Sequence, residues 1–163
     1  AIAYIRQHKA LGLGHAVWCA RRLIGEEPFA VILPDDVISA EKPCLQQMVE
    51  AYAQTGGSMV AAMEVAPDRT SSYGVLNVEE DMGAILRVKG LVEKPKREDA
   101  PSNLIISGRY ILQPEVMRVL ENQGKGAGGE ELAAVHCCFA TSSFWRSTRR
   151  RFWPMILRMS ASE

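Results

Sequence analysis

The sequence predicts an α/β fold built on a mixed, mostly parallel sheet, and three observations support this prediction. Phe29 to Leu33 is an unbroken apolar run that Pro34 terminates, as in a strand buried on both faces of a parallel sheet. Up to Val65 the predicted strands alternate with amphipathic helices, an order that favours parallel strands joined by helical crossovers. After Val65 strands follow one another directly, which predicts an antiparallel layer over the ligand site.

The individual elements follow from hydrophobic periodicity and from the glycines and prolines that interrupt it. The predicted strands are Ala1–Arg6, Phe29–Leu33, Ser58–Val65, Gly74–Val78, Ile85–Lys89, Leu91–Pro95 and Leu104–Leu112, the last interrupted at Gly108. The predicted helices begin at His15, Pro43 and Pro114, and the first two end at Gly25 and at the Gly56-Gly57 pair. Because a buried strand is predicted at Ala1, we expect the domain to continue upstream of this sequence.

The composition is that of a globular domain: 47% of the 163 residues are hydrophobic and 23% are charged. The 19 basic and 19 acidic residues balance, so the net charge gives no argument for a nucleic-acid or membrane partner. No apolar run reaches the roughly 20 residues of a membrane helix. The four cysteines lack metal-ligand spacing, which favours reduced thiols and a cytoplasmic protein.

Two carboxylates, Asp35 and Asp36, directly follow the first long apolar strand. In open α/β sheets the ligand site lies just beyond the carboxyl ends of the strands. Mg²⁺ is commonly bound by one or two carboxylates together with substrate phosphates. The pair therefore predicts either a magnesium site or a solvated turn after a core strand, and the residues alone leave both interpretations open.

Three further stretches carry groups that suit a sugar phosphate. The glycines of Gly12–Ala16 let backbone approach a ligand at a helix start. Glu93 can accept hydrogen bonds from hydroxyls, and Lys94 can neutralise a phosphate. Asn103 can both donate and accept, and Tyr73-Gly74 can place bare backbone against a ring. The alternatives are a tight strand-to-helix turn, a surface ion pair and ordinary turn chemistry.

Taken together, eight short motifs resemble, in the same order, those of bacterial UTP–glucose-1-phosphate uridylyltransferases. They are Arg6-Gln7, Gly12-Leu13-Gly14-His15-Ala16, Leu33-Pro34-Asp35, Tyr73-Gly74-Val75, Val92-Glu93-Lys94-Pro95, Pro101-Ser102-Asn103-Leu104, Gly108-Arg109-Tyr110 and Gly126-Ala127-Gly128-Gly129-Glu130. The resemblance covers residues 1 to about 130 and implies a Rossmann-like nucleotide-diphospho-sugar transferase sandwich, incomplete at both ends. Residues 131–163 are unlike the family, and we interpret them as an out-of-frame or disordered tail that packs poorly.

The resemblance implies transfer of a uridylyl group from UTP to α-D-glucose 1-phosphate, which gives UDP-glucose and pyrophosphate, with Mg²⁺ as cofactor. By motif it assigns catalysis to Asp35 and Lys94, the metal to Asp35, and substrate binding to Gln7, Gly12, Gly74, Glu93 and Asn103. Gln7 and Gly12 are expected at the uracil, and Lys94 at the sugar phosphate. The residues expected at the glucose are Gly74, Glu93 and Asn103. The role of Asp36 stays open. The implied partners are UTP, glucose 1-phosphate and UDP-glucose, with homo-oligomers in full-length members and no nucleic acid or membrane.

Two family motifs are absent from the sequence: the glycine-rich segment that cradles the triphosphate and the second metal-binding aspartate. We therefore expect this chain alone to form no UDP-glucose, and to bind UDP-glucose weakly but better than UTP. Two alternatives to an enzyme are a non-catalytic module that binds nucleotide sugars and a truncated product without function.

Overall fold

The computed structural model describes residues 1–122 and 155–159, which form a six-stranded sheet flanked by helices. The strands are β1 (Phe29–Ile32), β2 (Met59–Glu64), β3 (Gly74–Asp81), β4 (Ile85–Glu93), β5 (Leu104–Leu112) and β6 (Met155–Met159). The helices are α1 (Leu13–Cys19), α2 (Arg21–Ile24), α3 (Cys44–Thr55) and α4 (Val116–Asn122), with 3₁₀ turns at Pro67–Ser72 and Arg97–Asp99. In this part of the chain no helix has the length and apolar character to cross a membrane.

The strand order is β1-β5-β2-β6-β4-β3, and among the described pairings only β2 with β6 is parallel. The sheet is mixed, as expected, but the prediction of a mostly parallel sheet is not confirmed. β5 lies between β1 and β2 and runs antiparallel to both, so β1 and β2 point the same way without being neighbours. A helical crossover determines the relative direction of the strands that it joins, but it does not determine which later strand lies between them.

Two predictions about strands are wrong. Residues 1–6 have no regular secondary structure and are exposed, because no described strand pairs with them. β1 is not buried on both faces: its burial alternates, and Ile32 is 52% exposed. Among the described strands β1 lies at the edge of the sheet and pairs only with β5, so its outward side chains have little to pack against.

Most element boundaries agree with the local signals. Gly25 and Gly56 follow α2 and α3 with positive φ angles of 68° and 63°, the conformation that glycine allows at a helix end. β5 has the predicted bounds, and Gly108 does not interrupt it; instead the register with β2 shifts opposite this residue, between Val60 and Ala61. The predicted strands at 85–89 and 91–95 are one continuous strand, β4.

Buried side chains form one cluster on each face of the sheet. On one face, α3 contributes Met48, which packs with Met59 of β2 and Ile111 of β5. On the other, α1 and α4 cover a cluster that contains Tyr110 and Leu76. These two layers bury enough apolar surface to hold the sheet between helices.

β6 lies inside the region predicted to be a poorly packed tail. It pairs with β2 and β4, and Ile156 and Leu157 are buried on opposite faces of the sheet, at 0% and 5% exposure. For Met155–Met159 the expectation of poor packing is therefore wrong, because an apolar segment can pair between two strands and bury side chains on both faces of the sheet. The rest of 131–163 lies outside the described residues, and the domain division near residue 130 stays a prediction.

Candidate active site

A cleft of about 370 Å³ opens at the carboxyl end of β1. Its polar lining consists of Asp35, Asp36, Arg69 and Tyr73, and its apolar lining comes from Leu33, Val65, β2 and β5. Asp35 is exposed and makes no hydrogen bond to the described residues. The structure thus places a free carboxylate where the sequence predicted one, beyond the end of the strand.

Asp36 is held against β5, in contrast to its neighbour. Its Oδ2 accepts hydrogen bonds from Ser107 Oγ at 3.0 Å and from the Gly108 backbone N–H at 2.8 Å. Arg109 holds the same turn from its other side, because its Nη1 donates to the Leu33 carbonyl at 2.9 Å and its Nη2 donates to the Asp36 carbonyl. The turn that carries Asp35 is therefore fixed at both ends.

α3 packs behind this turn and brings Cys44 close to it. Burial is the main cause that raises the pKa of the Cys44 thiol above its ordinary value, the Arg109 guanidinium lowers it, and the Asp36 carboxylate raises it. The thiol therefore lies within electrostatic range of both side chains that hold the turn.

Glu93 and Lys94 come together at the end of β4, beside Gly74. Lys94 has a φ of 44°, which is uncommon for a residue other than glycine. Its N–H donates to the Tyr73 carbonyl at 3.0 Å. Neighbouring side chains of a regular strand point to opposite faces, yet Lys94 Nζ lies 3.7 Å from Glu93 Oε1. The left-handed residue thus lets both charges face one side, and the Lys94 side chain is 63% exposed.

Gly74 leaves the space that the Glu93 carboxylate occupies. A Cβ at this position would lie 3.2 Å from Glu93 Oε2 and 3.2 Å from Leu91 Cδ1. Tyr73, one residue earlier, lines the Asp35 cleft. The Asn103 carbonyl accepts a hydrogen bond at 3.0 Å from the N–H of Val65, another residue of the cleft lining. The predicted glucose residues therefore lie at the border of the cleft that holds Asp35.

Gln7, Gly12 and His15 form a separate group at the start of α1. Gln7 Nε2 lies 3.0 Å from the Gly12 carbonyl oxygen and 2.9 Å from His15 Nδ1. A carbonyl oxygen only accepts, so the amide nitrogen must face Gly12, and Nδ1 must then be the unprotonated nitrogen of His15. Oε1 of Gln7 then has no hydrogen-bond partner among the described residues. Gln7 and Gly12 thus contact each other, but neither lines the Asp35 cleft, and their uracil role stays a prediction.

Sequence reasoning missed three residues that shape the cleft. Arg109 belongs to a motif that implies no role for it. No local pattern singles out Arg69, although it is the one basic residue that the described cleft lining contains. Ser107 interrupts an apolar strand and is 1% exposed. A buried hydroxyl in such a strand signals a hydrogen-bond partner elsewhere in the fold, and this signal could have pointed to Asp36.

The described residues include no cluster of three or more His, Cys, Asp or Glu side chains that could hold a metal ion by themselves. The donor set is nevertheless compatible with Mg²⁺, which takes oxygen ligands and usually relies on only one or two carboxylates, with phosphates and water for the rest. Asp35 offers such a carboxylate at the cleft.

A family model described as nucleotidyl transferase matches residues 1–140 of the chain. The chain belongs to the nucleotidyl transferase family. It is 52% identical over 119 residues to the UTP–glucose-1-phosphate uridylyltransferase of Komagataeibacter xylinus. This alignment covers 73% of this chain and 42% of that relative. It is 49% identical over 129 residues to the enzyme of the same name from Bacillus subtilis strain 168, or 79% of this chain and 44% of that relative. The resemblance inferred from the motifs is confirmed.

Solved structures support the same assignment. A UDP-glucose pyrophosphorylase complexed with UDP-glucose superimposes with a TM-score of 0.83 at 37% identity, over 98% of this chain and 58% of that one. An apo UDP-glucose pyrophosphorylase gives a TM-score of 0.84 at 36% identity, over 98% and 56%. This nucleotidyl transferase chain therefore has the fold of those proteins and spans less than half the length of the curated relatives quoted above.

Proposed function

We propose that this chain carries the nucleotide-sugar site of a UTP–glucose-1-phosphate uridylyltransferase, which joins UTP and α-D-glucose 1-phosphate into UDP-glucose and pyrophosphate. The observation that carries the proposal is the junction at Tyr73. This residue lines the cleft of the free Asp35, and its carbonyl holds Lys94, which places the Glu93–Lys94 pair at the border of that cleft. The names of the relatives and the structure solved with UDP-glucose support the substrate class.

In this proposal the groups around the cleft position phosphates and neutralise their charge. An oxygen of the sugar phosphate attacks the α-phosphorus of UTP, and pyrophosphate leaves, with no covalent enzyme intermediate. Asp35 would hold Mg²⁺, which supplies charge neutralisation on the phosphates when bound. Lys94, with its exposed ammonium group, would contact the sugar phosphate. Catalysis of this kind depends on alignment and electrostatic stabilisation of the reacting groups.

The base and the sugar would be recognised by two different groups of residues. Gln7 would accept a hydrogen bond from the uracil through Oε1, since both hydrogens of its amide are directed at Gly12 and His15. Glu93 would accept hydrogen bonds from glucose hydroxyls, and the Asn103 amide would add donors and an acceptor. The bare backbone of Gly74 would face the sugar ring.

The cellular setting belongs to the same proposal. Cys19 and Cys44 are free thiols in the described part of the chain, which fits a reducing compartment such as the cytoplasm. Homo-oligomers of the full-length protein stay a prediction.

Calorimetry of UDP-glucose and UDP on wild type and on Glu93→Ala tests the proposal. A hydrogen bond to a charged group contributes roughly 1.5–3 kcal/mol, so Glu93→Ala should weaken UDP-glucose binding about ten- to a hundredfold. UDP, which lacks the sugar, should bind both proteins alike. Glu79→Ala, an exposed glutamate on β3, is the matched control and should change neither ligand.

Equal losses for UDP and UDP-glucose would exclude Glu93 from the sugar site. A pyrophosphate-release assay with UTP, glucose 1-phosphate and Mg²⁺ separates an enzyme from a binding module. Pyrophosphate release by wild type that disappears in Asp35→Ala shows that the chain itself turns over substrate. Sugar-dependent binding without release favours the module.

A further inference from the structure

We propose that Asp36 and Arg109 are positioning residues that hold Asp35 toward the cleft, and that Asp36 is not a ligand of the metal. The inference rests on the proposed metal role of Asp35. It assigns opposite tasks to two adjacent carboxylates that the sequence could not distinguish.

The carboxylate of Asp36 is turned toward β5. Its Oδ2 accepts from Ser107 Oγ at 3.0 Å and from the Gly108 N–H at 2.8 Å, two donors that occupy both lone pairs of that oxygen. Ser107 is 1% exposed, so its hydroxyl cannot exchange this partner for solvent without cost. Asp36 thus connects the turn after β1 to a strand more than 70 residues away.

Arg109 fixes the backbone on both sides of Asp35. Its guanidinium donates to the carbonyls of Leu33 and Gly108, each at 2.9 Å, and to the carbonyl of Asp36. The Leu33 N–H in turn donates to the Gly108 carbonyl at 2.9 Å. A planar guanidinium can satisfy several acceptors in a fixed geometry, which a lysine ammonium does not reproduce.

Asp35 therefore lies at the top of a turn whose two ends are bonded to β5. Pro34, which precedes it, has a fixed φ and removes another degree of freedom. The only carboxylate of this turn without a bond to the described residues is that of Asp35. Such restraint keeps a ligand in place before the substrate arrives, as residues outside the first coordination sphere do in metal sites.

Two substitutions of Asp36 separate positioning from ligation. Asp36→Asn keeps an oxygen that can accept both hydrogen bonds but loses the charge that a metal ligand needs. Asp36→Ala loses both the hydrogen-bond-accepting oxygen and the charge. A positioning residue is thus rescued by asparagine, and a metal ligand is not.

The measurement is Mn²⁺ binding to the full chain, followed by water-proton relaxation without nucleotide, so it does not depend on activity. Asp35→Asn should weaken binding by at least about tenfold, whereas Asp36→Asn should stay within about twofold of wild type. Asp36→Ala and Arg109→Lys should each weaken Mn²⁺ binding by about tenfold, because each removes a restraint on the turn that carries Asp35. Asp68→Asn and Arg22→Lys, both at exposed positions, are the controls and should have no effect.

Hydrogen exchange at the Gly108 amide is the second readout. Protection should fall about tenfold or more in Asp36→Ala and remain in Asp36→Asn and in Asp35→Asn. If Asp36→Ala does not fold, Ser107→Ala replaces it, since it removes one of the two donors and should give a smaller loss in both readouts.

Two outcomes contradict the inference and one contradicts its basis. If Asp36→Asn lowers Mn²⁺ affinity as much as Asp35→Asn does, Asp36 is a metal ligand. Wild-type Mn²⁺ affinity in Asp36→Ala removes its positioning role. Wild-type affinity in Asp35→Asn, with Gly108 protection unchanged, instead refutes the metal role in the proposed function.

Discussion

The ends of β1 and β4 have the same kind of sequence and are built in different ways. Each carries two adjacent charged residues next to a proline: Asp35 and Asp36 follow Pro34, and Glu93 and Lys94 precede Pro95. At β1, side-chain hydrogen bonds to β5 hold the turn. At β4, the backbone holds it, through the positive φ of Lys94 and its N–H bond to Tyr73.

This difference indicates where each region is sensitive. At the end of β1, Asp36 and Arg109 have no proposed ligand contact but hold Asp35, which has one. Substitution of either should therefore disturb the fold and the site together. At the end of β4, both side chains remain available for a ligand, and their loss should reduce binding while leaving stability nearly unchanged.

The largest effect is expected from a methyl group at Gly108. Its Cβ would lie 2.8 Å from the Cβ of Leu33, which is close to the backbone and cannot move away easily. Overpacking of this kind costs about 1–3 kcal/mol, so Gly108→Ala should lower the free energy of unfolding in urea by that amount. Gly90→Ala on β4 is the control, since nothing lies within 4 Å of its Cβ.

The same change at Gly74 tests the other strand end. There the nearest atoms are the ends of the Glu93 and Leu91 side chains, at 3.2 Å each, and these can shift. Gly74→Ala should therefore destabilise less than Gly108→Ala and mainly reduce UDP-glucose binding. A larger loss of stability at Gly74 than at Gly108 would reverse the comparison.

A smaller effect is expected at Lys94, where the backbone carries strain. A left-handed conformation costs non-glycine residues roughly 1–2 kcal/mol, so Lys94→Gly should be about 1 kcal/mol more stable than Lys94→Ala. Both variants lose the ammonium group and should bind UDP-glucose equally weakly. Urea unfolding and calorimetry on the two proteins measure both properties. Equal stability of the two variants would mean that the positive φ is not maintained in solution.

The smallest effect is a pH dependence at Cys44, beside the β1 turn. Its folded pKa is raised above the ordinary value of 9.0, chiefly by burial. The stability contributed by the neutral thiol is therefore fully present below pH 9.0 and is lost as pH rises through the folded pKa. Unfolding in urea should show a larger loss of stability between about pH 8 and about pH 10, a range that spans the ordinary value of 9.0, in wild type than in Cys44→Ala. An identical loss in both proteins would remove this thiol as the cause.

The sequence by itself determined the features that depend on near neighbours in the chain. Gly25 and Gly56 end helices because only a residue without a Cβ adopts their positive φ readily, and Pro34 ends a strand because it lacks an N–H. The ordered motifs likewise sufficed for the family, which the match over residues 1–140 confirms.

Tertiary structure decided what depends on residues far apart. The sequence could not show that β5 separates β1 from β2, or that β6 completes the sheet. It could not divide Asp35 from Asp36 either, because that division is made by Ser107 and Gly108. Hydrogen bonds and packing between such distant segments form only when the chain is folded, so local pattern carries little information about them.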